Sequence, residues 1–151
     1  MNIKPLYDVA RKDYIDFLLM ADESKQVVSE YIYEGDMYSI EDNGDVVGVA
    51  LFTFPSSGTV ELKNVALSPN CRGKGIGREA LNQFFSLYQE KQYEWMIVGT
   101  ANSSIGNFAF YQKAGFRFST IKRGFFNKYD EMIYENGIQA VDMIMFEMKL
   151  A

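Results

Sequence analysis

Histidine is absent from this 151-residue chain, and cysteine occurs once, at Cys71. Without histidine there is no Ser-His-Asp arrangement, and most transition-metal sites lose a usual ligand, so no metal is expected. A single cysteine excludes an internal disulfide and gives no sign of secretion. Cys71 also has no histidine base to activate it and reads as a loop residue, not a nucleophile. No apolar run approaches the roughly 20 residues that span a bilayer. The amino terminus lacks the charged, apolar and small-residue segments of a secretory leader. A cytoplasmic protein without membrane contact is therefore expected. Basic residues are in deficit, 15 Lys and Arg against 20 Asp and Glu, for a net charge of −5. That balance argues against nucleic acid as a partner and mildly favours cationic small molecules. No repeat, low-complexity tract or linker interrupts the chain. With 48% apolar and 15% aromatic residues it has the material for one packed core, a single domain over 1–151.

What is present centres on Val65 to Arg78. An apolar run breaks at Pro69, passes through Gly73, Gly75 and Gly77 with Lys74 and Ile76 between them, and enters a helical pattern. Alternating glycines allow a tight turn and close approach of a ligand to the backbone. A helix start behind them presents unpaired N–H groups and a positive dipole end, the makings of a phosphate site. Arg72, Lys74 and Arg78 add positive charge. The Walker pattern fails because Gly75 follows Lys74 where a hydroxyl is required. The dinucleotide fingerprint fails because Arg78 stands in place of its third glycine.

Around this loop the chain reads as alternating elements. Met1 to Tyr7 is a first strand and Asp8 to Met20 a loose helix. A second helix starts at Asp22-Glu23-Ser24-Lys25, acidic in its first turn, and ends at Gly35. Met37 to Ile40, Val46 to Phe54 and Thr59 to Leu67 form three antiparallel strands, turning at Asn43-Gly44 and at Pro55 to Gly58. A helix follows from Gly75 or Ile76 to Tyr88, with Ile76, Ala80, Leu81, Phe84, Phe85 and Tyr88 on one face. Tyr93 to Thr100 is a buried strand of the parallel kind. Ser103 or Ser104 can cap the next helix, which Ala114-Gly115 stops. Phe116 to Thr120 begins a strand, Phe125 to Asn136 is an aromatic, polar loop, and Val141 to Leu150 is the last strand. The order β-α-α-β-β-β-α-β-α-β-β is that of one α/β domain with a mixed sheet.

Arg72-Gly73-Lys74-Gly75-Ile76-Gly77 fits the pattern Arg/Gln-x-x-Gly-x-Gly/Ala. Ser104 to Phe116, with Tyr111 and Gly115-Phe116, is similar to Asn-x-x-Ala-x-x-Leu-Tyr-x-x-x-Gly-Phe. Together they resemble the GNAT family of acetyl-CoA-dependent N-acetyltransferases, most strongly over 59–118. The resemblance implies a central mixed, mostly antiparallel sheet of six or seven strands with four flanking helices. It implies that strand 59–67 splays from its neighbour and takes the pantetheine arm of acetyl-CoA in the gap. The N–H groups of Gly73, Lys74, Gly75, Ile76, Gly77 and Arg78, with Arg72, would hold the pyrophosphate. Val65, Ala66 and Leu67 would line the arm, the Val65 and Leu67 N–H groups serving as donors to it and to the acetyl carbonyl. Two departures weaken the second motif: Ser104 replaces asparagine and Asn107 replaces alanine. Ser104 and Asn102 are both candidates for the contact the asparagine would make.

The resemblance also casts Tyr111 as the acid that protonates the departing thiolate, and Glu61 as the base that deprotonates the amine, directly or through water. Asn64 is a substrate or structural contact. The expected activity is transfer of acetyl from acetyl-CoA to a primary amine, with a small cationic acceptor. Two alternatives stand beside it: a peptide or protein N-acetyltransferase, and a weakly catalytic acyl-CoA-binding sensor. The acceptor groove would be built from the helices at 8–34 and the loop at 124–137. In that loop Phe125, Phe126, Tyr129 and Tyr134 mix with Asp130, Glu131 and Glu135, which suits equally a wall for a cation stacked on aromatic rings, packing on the sheet, or pairing with a second subunit. Small bacterial-type members often form dimers, so a homodimer is a further expectation of the resemblance.

Overall fold

A computed structural model describes residues 1–150. It contains strand β1 (Asn2–Leu6), a 3₁₀ segment (Asp8–Tyr14), helices α1 (Ile15–Ala21) and α2 (Lys25–Tyr31), and strands β2 (Asp36–Asp42), β3 (Asp45–Ser56) and β4 (Thr59–Leu67). Helix α3 (Ile76–Glu90), strand β5 (Trp95–Ala101), helix α4 (Ile105–Ala114) and strand β6 (Arg117–Lys122) follow. A short hairpin, β7 (Tyr134–Glu135) with β8 (Ile138–Gln139), precedes the last strand β9 (Met143–Lys149). Seven strands form one sheet in the order β1-β2-β3-β4-β5-β9-β6. Only β4 and β5 run parallel, so the expected mixed, mostly antiparallel sheet with four helices is what forms. Among the described residues no helix is long and apolar enough to cross a membrane.

Two cores sit on opposite faces of the sheet. On one, α3 buries Ile76, Ala80, Leu81, Phe84 and Tyr88, the face its helical spacing marked. Phe52 on β3 meets both Phe84 and Tyr88 at 4.8 Å between ring centroids. A fully buried aromatic of this size stabilises by roughly 1.5–3 kcal/mol. On the other face Leu18, Val28, Tyr31 and Ile32 pack on Met37, Val49 and Leu51.

Several local expectations need correction. Residues 8–14 wind as 3₁₀, not α, before α1 begins. Helix α2 starts at Lys25 with the Ser24 hydroxyl accepting from the Val27 N–H. Asp22 and Glu23 lie ahead of its first turn and not within it, because Asp22 has partners elsewhere. The helix ends at Tyr31, short of Gly35. Gly35 instead turns the chain into β2 at φ +51°, where a Cβ would collide with the Phe52 carbonyl oxygen. Pro55 lies inside β3, at a register shift that spares the ladder its missing N–H. The second turn is therefore only Ser57-Gly58. The 125–136 loop holds a 3₁₀ turn (Phe125–Lys128) and half of the β7–β8 hairpin. The last strand begins at Met143 because the amides of Val141 and Asp142 are taken by Asn102.

Arg11 carries the junction between α2 and β2. It is 7% exposed, and its guanidinium donates to the carbonyls of Leu6, Ile32, Glu34 and Gly35 at 3.2, 3.1, 2.6 and 2.6 Å. Backbone carbonyls past a helix end are electronegative and otherwise unsatisfied. Arg11→Met keeps most of the stem and removes every donor. It is expected to lower the unfolding free energy by about 3 kcal/mol in urea titrations. A loss below about 1 kcal/mol would mean that water satisfies these carbonyls as well.

Candidate functional site

Strand β4 pairs with β5 only from Thr59 opposite Trp95 to Leu62 opposite Val98. Beyond that point the two strands part. The cause lies in β4: Asn64 stands opposite Leu51 and Leu62 opposite Phe52, so Lys63 is an extra residue, a β-bulge. The bulge breaks the alternation of side chains. Val60 and Leu62 face α3 before it, and Val65 and Leu67 face α3 after it. Glu61, opposite Thr53, and Asn64, opposite Leu51, both face α1 and α2. A cavity of about 510 Å³ occupies the parting and is lined from both faces of the sheet.

On the α3 side the wall includes Val65, Leu67, Arg72, Gly77, Phe110 and Tyr111. The Ser68 N–H donates to the Val47 carbonyl on β3. Alternate amides of a strand point the same way, so those of Val65 and Leu67 point into the gap. Gly73 and Gly75 have φ of +77° and +79°, and no atom comes within 4 Å of where their Cβ would be. Gly75 is the N-cap residue of α3 and offers no side chain to its first amides. Gly77 differs: its Cβ would lie 3.2 Å from both Leu67 Cδ1 and Phe110 Cζ, so this glycine lets α3 pack close to β4. The Ile76 side chain belongs to the core, whereas Lys74 and Arg78 are exposed outside the cavity. Cys71 is half-buried beside them, its thiol 3.6 Å from Asn70 Oδ1.

Tyr111 is buried at 6% exposure. Its ring packs on Phe110, Phe116 and Phe146 at centroid distances of 5.3 to 5.8 Å. Burial pushes its phenol well above the ordinary tyrosine range, so it stays protonated through neutral pH. Among the described residues its hydroxyl has no hydrogen-bond partner in the chain. Ser104 reaches the cavity at the N-cap position of α4 but does not cap it; its hydroxyl donates to Glu135 Oε1 at 2.7 Å. Ser103, the other capping candidate, is fully buried with its hydroxyl unpaired. Asn102 lies outside the cavity: it accepts from the Val141 and Asp142 amides and donates to the Gln139 carbonyl. Asn107, where the motif has alanine, lines the cavity and donates to Thr100 Oγ1 at 3.0 Å.

On the opposite side the cavity meets Glu61, Asn64, Asp22, Glu23 and the rings of Phe125, Phe126 and Tyr129. Asp130, Glu131 and Tyr134 do not reach it. Of the acids expected from the late loop only Glu135 lines the cavity; Asp22 and Glu23 come from the α1–α2 connection and Glu61 from β4. Asp22 is the one the sequence reading missed. Its carboxylate accepts from the Tyr31 hydroxyl at 3.1 Å, the Tyr129 hydroxyl at 3.0 Å and the Ser24 N–H at 3.2 Å. The Tyr31 hydroxyl in turn accepts from Asn64 Nδ2 at 2.9 Å. Burial first, and then Asp22, raise the Tyr129 phenol; burial raises Tyr31 too, against the Asn64 hydrogen bond. In the sequence Asp22 signals only a helix start, and its partner Tyr129 stands 107 residues away.

A family model described as acetyltransferase (GNAT) family matches residues 3–116. The chain is 36% identical over 136 residues to the uncharacterized N-acetyltransferase YvbK of Bacillus subtilis (strain 168), covering 89% of this chain and 88% of that protein. Among solved structures, it resembles a GNAT family acetyltransferase from Elizabethkingia anophelis with acetyl-CoA bound. The TM-score is 0.91 at 35% identity, over 98% of this chain and 97% of that one. A Bacillus subtilis acetyltransferase in complex with CoA gives a TM-score of 0.90 at 33% identity, over 99% of both chains.

Proposed function

This chain belongs to the GNAT acetyltransferase family and is an acetyl-CoA-dependent acyltransferase; we propose that it acetylates a primary amine on a small molecule. The observation that carries this reading is the cavity through the sheet, with the Tyr111 hydroxyl on one face and the Glu61 carboxylate on the other. The residues present fit acetyl-CoA. The amides of 73–78 are free of Cβ obstruction at Gly73 and Gly75 and stand at a helix start, as a pyrophosphate requires. The amides of Val65 and Leu67 have no strand partner on the β5 side and are open to a pantetheine arm and an acyl oxygen. When bound, acetyl-CoA supplies the acetyl thioester.

Glu61 takes a proton from the acceptor's ammonium, directly or through water, so that a neutral amine presents its lone pair. The Val65 amide steadies charge developing on the acyl oxygen. Tyr111 holds its proton until the thiolate leaves and delivers it from the phenol oxygen. Glu61→Gln keeps the size of the side chain and removes this base. It is expected to lower kcat about 10²-fold while acetyl-CoA affinity in calorimetric titration stays the same. Turnover at the unmodified rate would transfer the base role to another group.

The small acceptor is favoured over a peptide by one contact. The α1–α2 connection and the 124–133 segment, between which an acceptor groove would run, are joined by the Tyr129–Asp22 hydrogen bond. An open peptide channel has no such bridge across it. The placement of Tyr111 and Glu61 on one cavity counts against a purely binding module. The test is an acceptor screen with acetyl-CoA and free-thiol detection, spanning cationic, neutral and acidic amines and short peptides. Turnover of peptides alone would overturn the small-molecule reading, and thiol release with none would overturn acetyl transfer to amines.

A further inference from the structure

Three carboxylates of the acceptor side, Asp22, Glu23 and Glu61, line the cavity, and among the described residues none has a lysine or arginine within 4.0 Å. Of the three lysines that line the cavity, two are engaged with rings: Lys63 lies over Tyr31 at 5.4 Å and Lys128 over Phe125 at 4.2 Å from the centroid, while Lys122 is exposed. Asp22 is distinguished from the other two by its fixed geometry. Three donors hold it, which occupies three of the roughly four lone-pair directions of a carboxylate. The fourth remains free.

Beside it stands a second unfilled acceptor. Asn64 is 5% exposed and lines the cavity, and its Oδ1 is buried with no hydrogen-bond partner. The amide cannot be turned round to relieve this, because Nδ2 donates to the Leu18 carbonyl at 2.9 Å and an oxygen there would face another oxygen. A buried acceptor without a donor costs free energy and is rarely left so. The Asn64 amide and the Asp22 carboxylate are tied to each other through the Tyr31 hydroxyl. The empty positions on both are of one kind: each accepts a hydrogen bond and neither donates.

We propose that Asp22 and Asn64, held by Tyr31 and Tyr129, form a recognition subsite for a protonated amine of the acceptor. This rests on the acetyl-transfer reading above and extends it. The nitrogen that attacks a thioester must be neutral, so an ammonium bound at this subsite is a second amine on the same molecule. The acceptor class is thus a compact diamine or polyamine, one amine anchored as a cation and the other presented beside Glu61. The bridge from Tyr129 to Asp22 closes the subsite on the side of the 125–129 turn and limits the molecule's bulk.

The experiment compares 1,4-diaminobutane with butylamine, which lacks the second amine. Calorimetric titration into the CoA-loaded protein reads the subsite without turnover. The diamine is expected to bind at least about tenfold more tightly, the worth of a hydrogen bond to a charged group, and to lose affinity as salt rises. In Asp22→Asn the preference is expected to fall to near one, with thermal melting and acetyl-CoA affinity as controls on folding. If Asp22→Asn does not fold, Tyr129→Phe, which removes one donor to Asp22, should reduce the preference several-fold. Equal binding of the two amines by the unmodified protein overturns the proposal, as does a preference that survives Asp22→Asn. An acetyl-transfer assay on the same amines separates the two readings. Asp22-dependent diamine binding without any acetylation keeps the subsite and removes the transfer reading. Acetylation that is indifferent to the second amine removes the subsite alone.

Discussion

Tyr111→Phe is expected to lower turnover by roughly 10²–10⁴-fold while acetyl-CoA affinity changes little. The substitution removes one oxygen and keeps the ring that packs on Phe110, Phe116 and Phe146, so the fold and the cavity wall persist. A phenol raised above its usual range by burial would be a poor acid toward a thiolate in water. Inside the cavity the thiolate is desolvated too, which raises its own proton affinity, and the transfer runs between two groups shifted the same way. The same burial keeps Tyr111 protonated across the neutral range, so no limb of the pH–rate profile near neutrality should belong to it. Wild-type turnover in the variant would assign the proton to water, and a large loss of acetyl-CoA affinity would make the residue a binding group instead.

Gly75→Val is expected to weaken acetyl-CoA binding by about 100-fold or more in calorimetric titration. The effect does not arise from crowding, because nothing lies within 4 Å of a Cβ at this position. It arises from the backbone. Valine at φ +79° is held in the left-handed region, which β-branched residues avoid at a cost of roughly 1–2 kcal/mol. The loop relaxes by turning the peptide groups that lead into α3, and the amides of 76–78 no longer converge on one point. Gly75→Asn, a residue that tolerates this conformation, should retain much of the affinity. Equal, unchanged affinities in both variants would reject the loop as the anion site. Gly77→Val is a poorer probe, since it presses on Leu67 and Phe110 and disturbs the cavity wall as well.

What could be read from the sequence was local. The glycine loop and the Tyr111 motif keep their spacing within one loop or one helix; Arg72 and Gly77 of the loop line the cavity, and so does Tyr111. The seven strands followed from alternation and turn residues. The acceptor side was not legible for a different reason. Its central contact joins Asp22 to Tyr129, residues with no shared period, brought together only when α1 and the 125–129 turn cover the same edge of the gap. Asp130 and Glu131 carry the expected charge in the right segment but are exposed and do not line the cavity. Nothing local in the sequence marks Arg11 as the residue on which four carbonyls converge. Strict alternation along Glu61, Lys63, Val65 and Leu67 would have put Glu61 on the α3 face, and the bulge at Lys63 reversed that.

That bulge gives β4 a property measured in length and not in residue type. Removing one residue at Lys63 would leave the hairpin with β3 able to re-form in an unbroken register. Asn64 would still stand opposite Leu51 and Val65 opposite Ala50, so each side chain would keep its face. What would go is the bend and added twist that the extra residue puts into β4. The strand would then run on beside β5 past Leu62, and the gap that the chamber occupies would narrow. Point changes along this strand alter one contact at a time, whereas a single-codon loss would shrink the chamber and leave its other lining side chains on the faces they now hold.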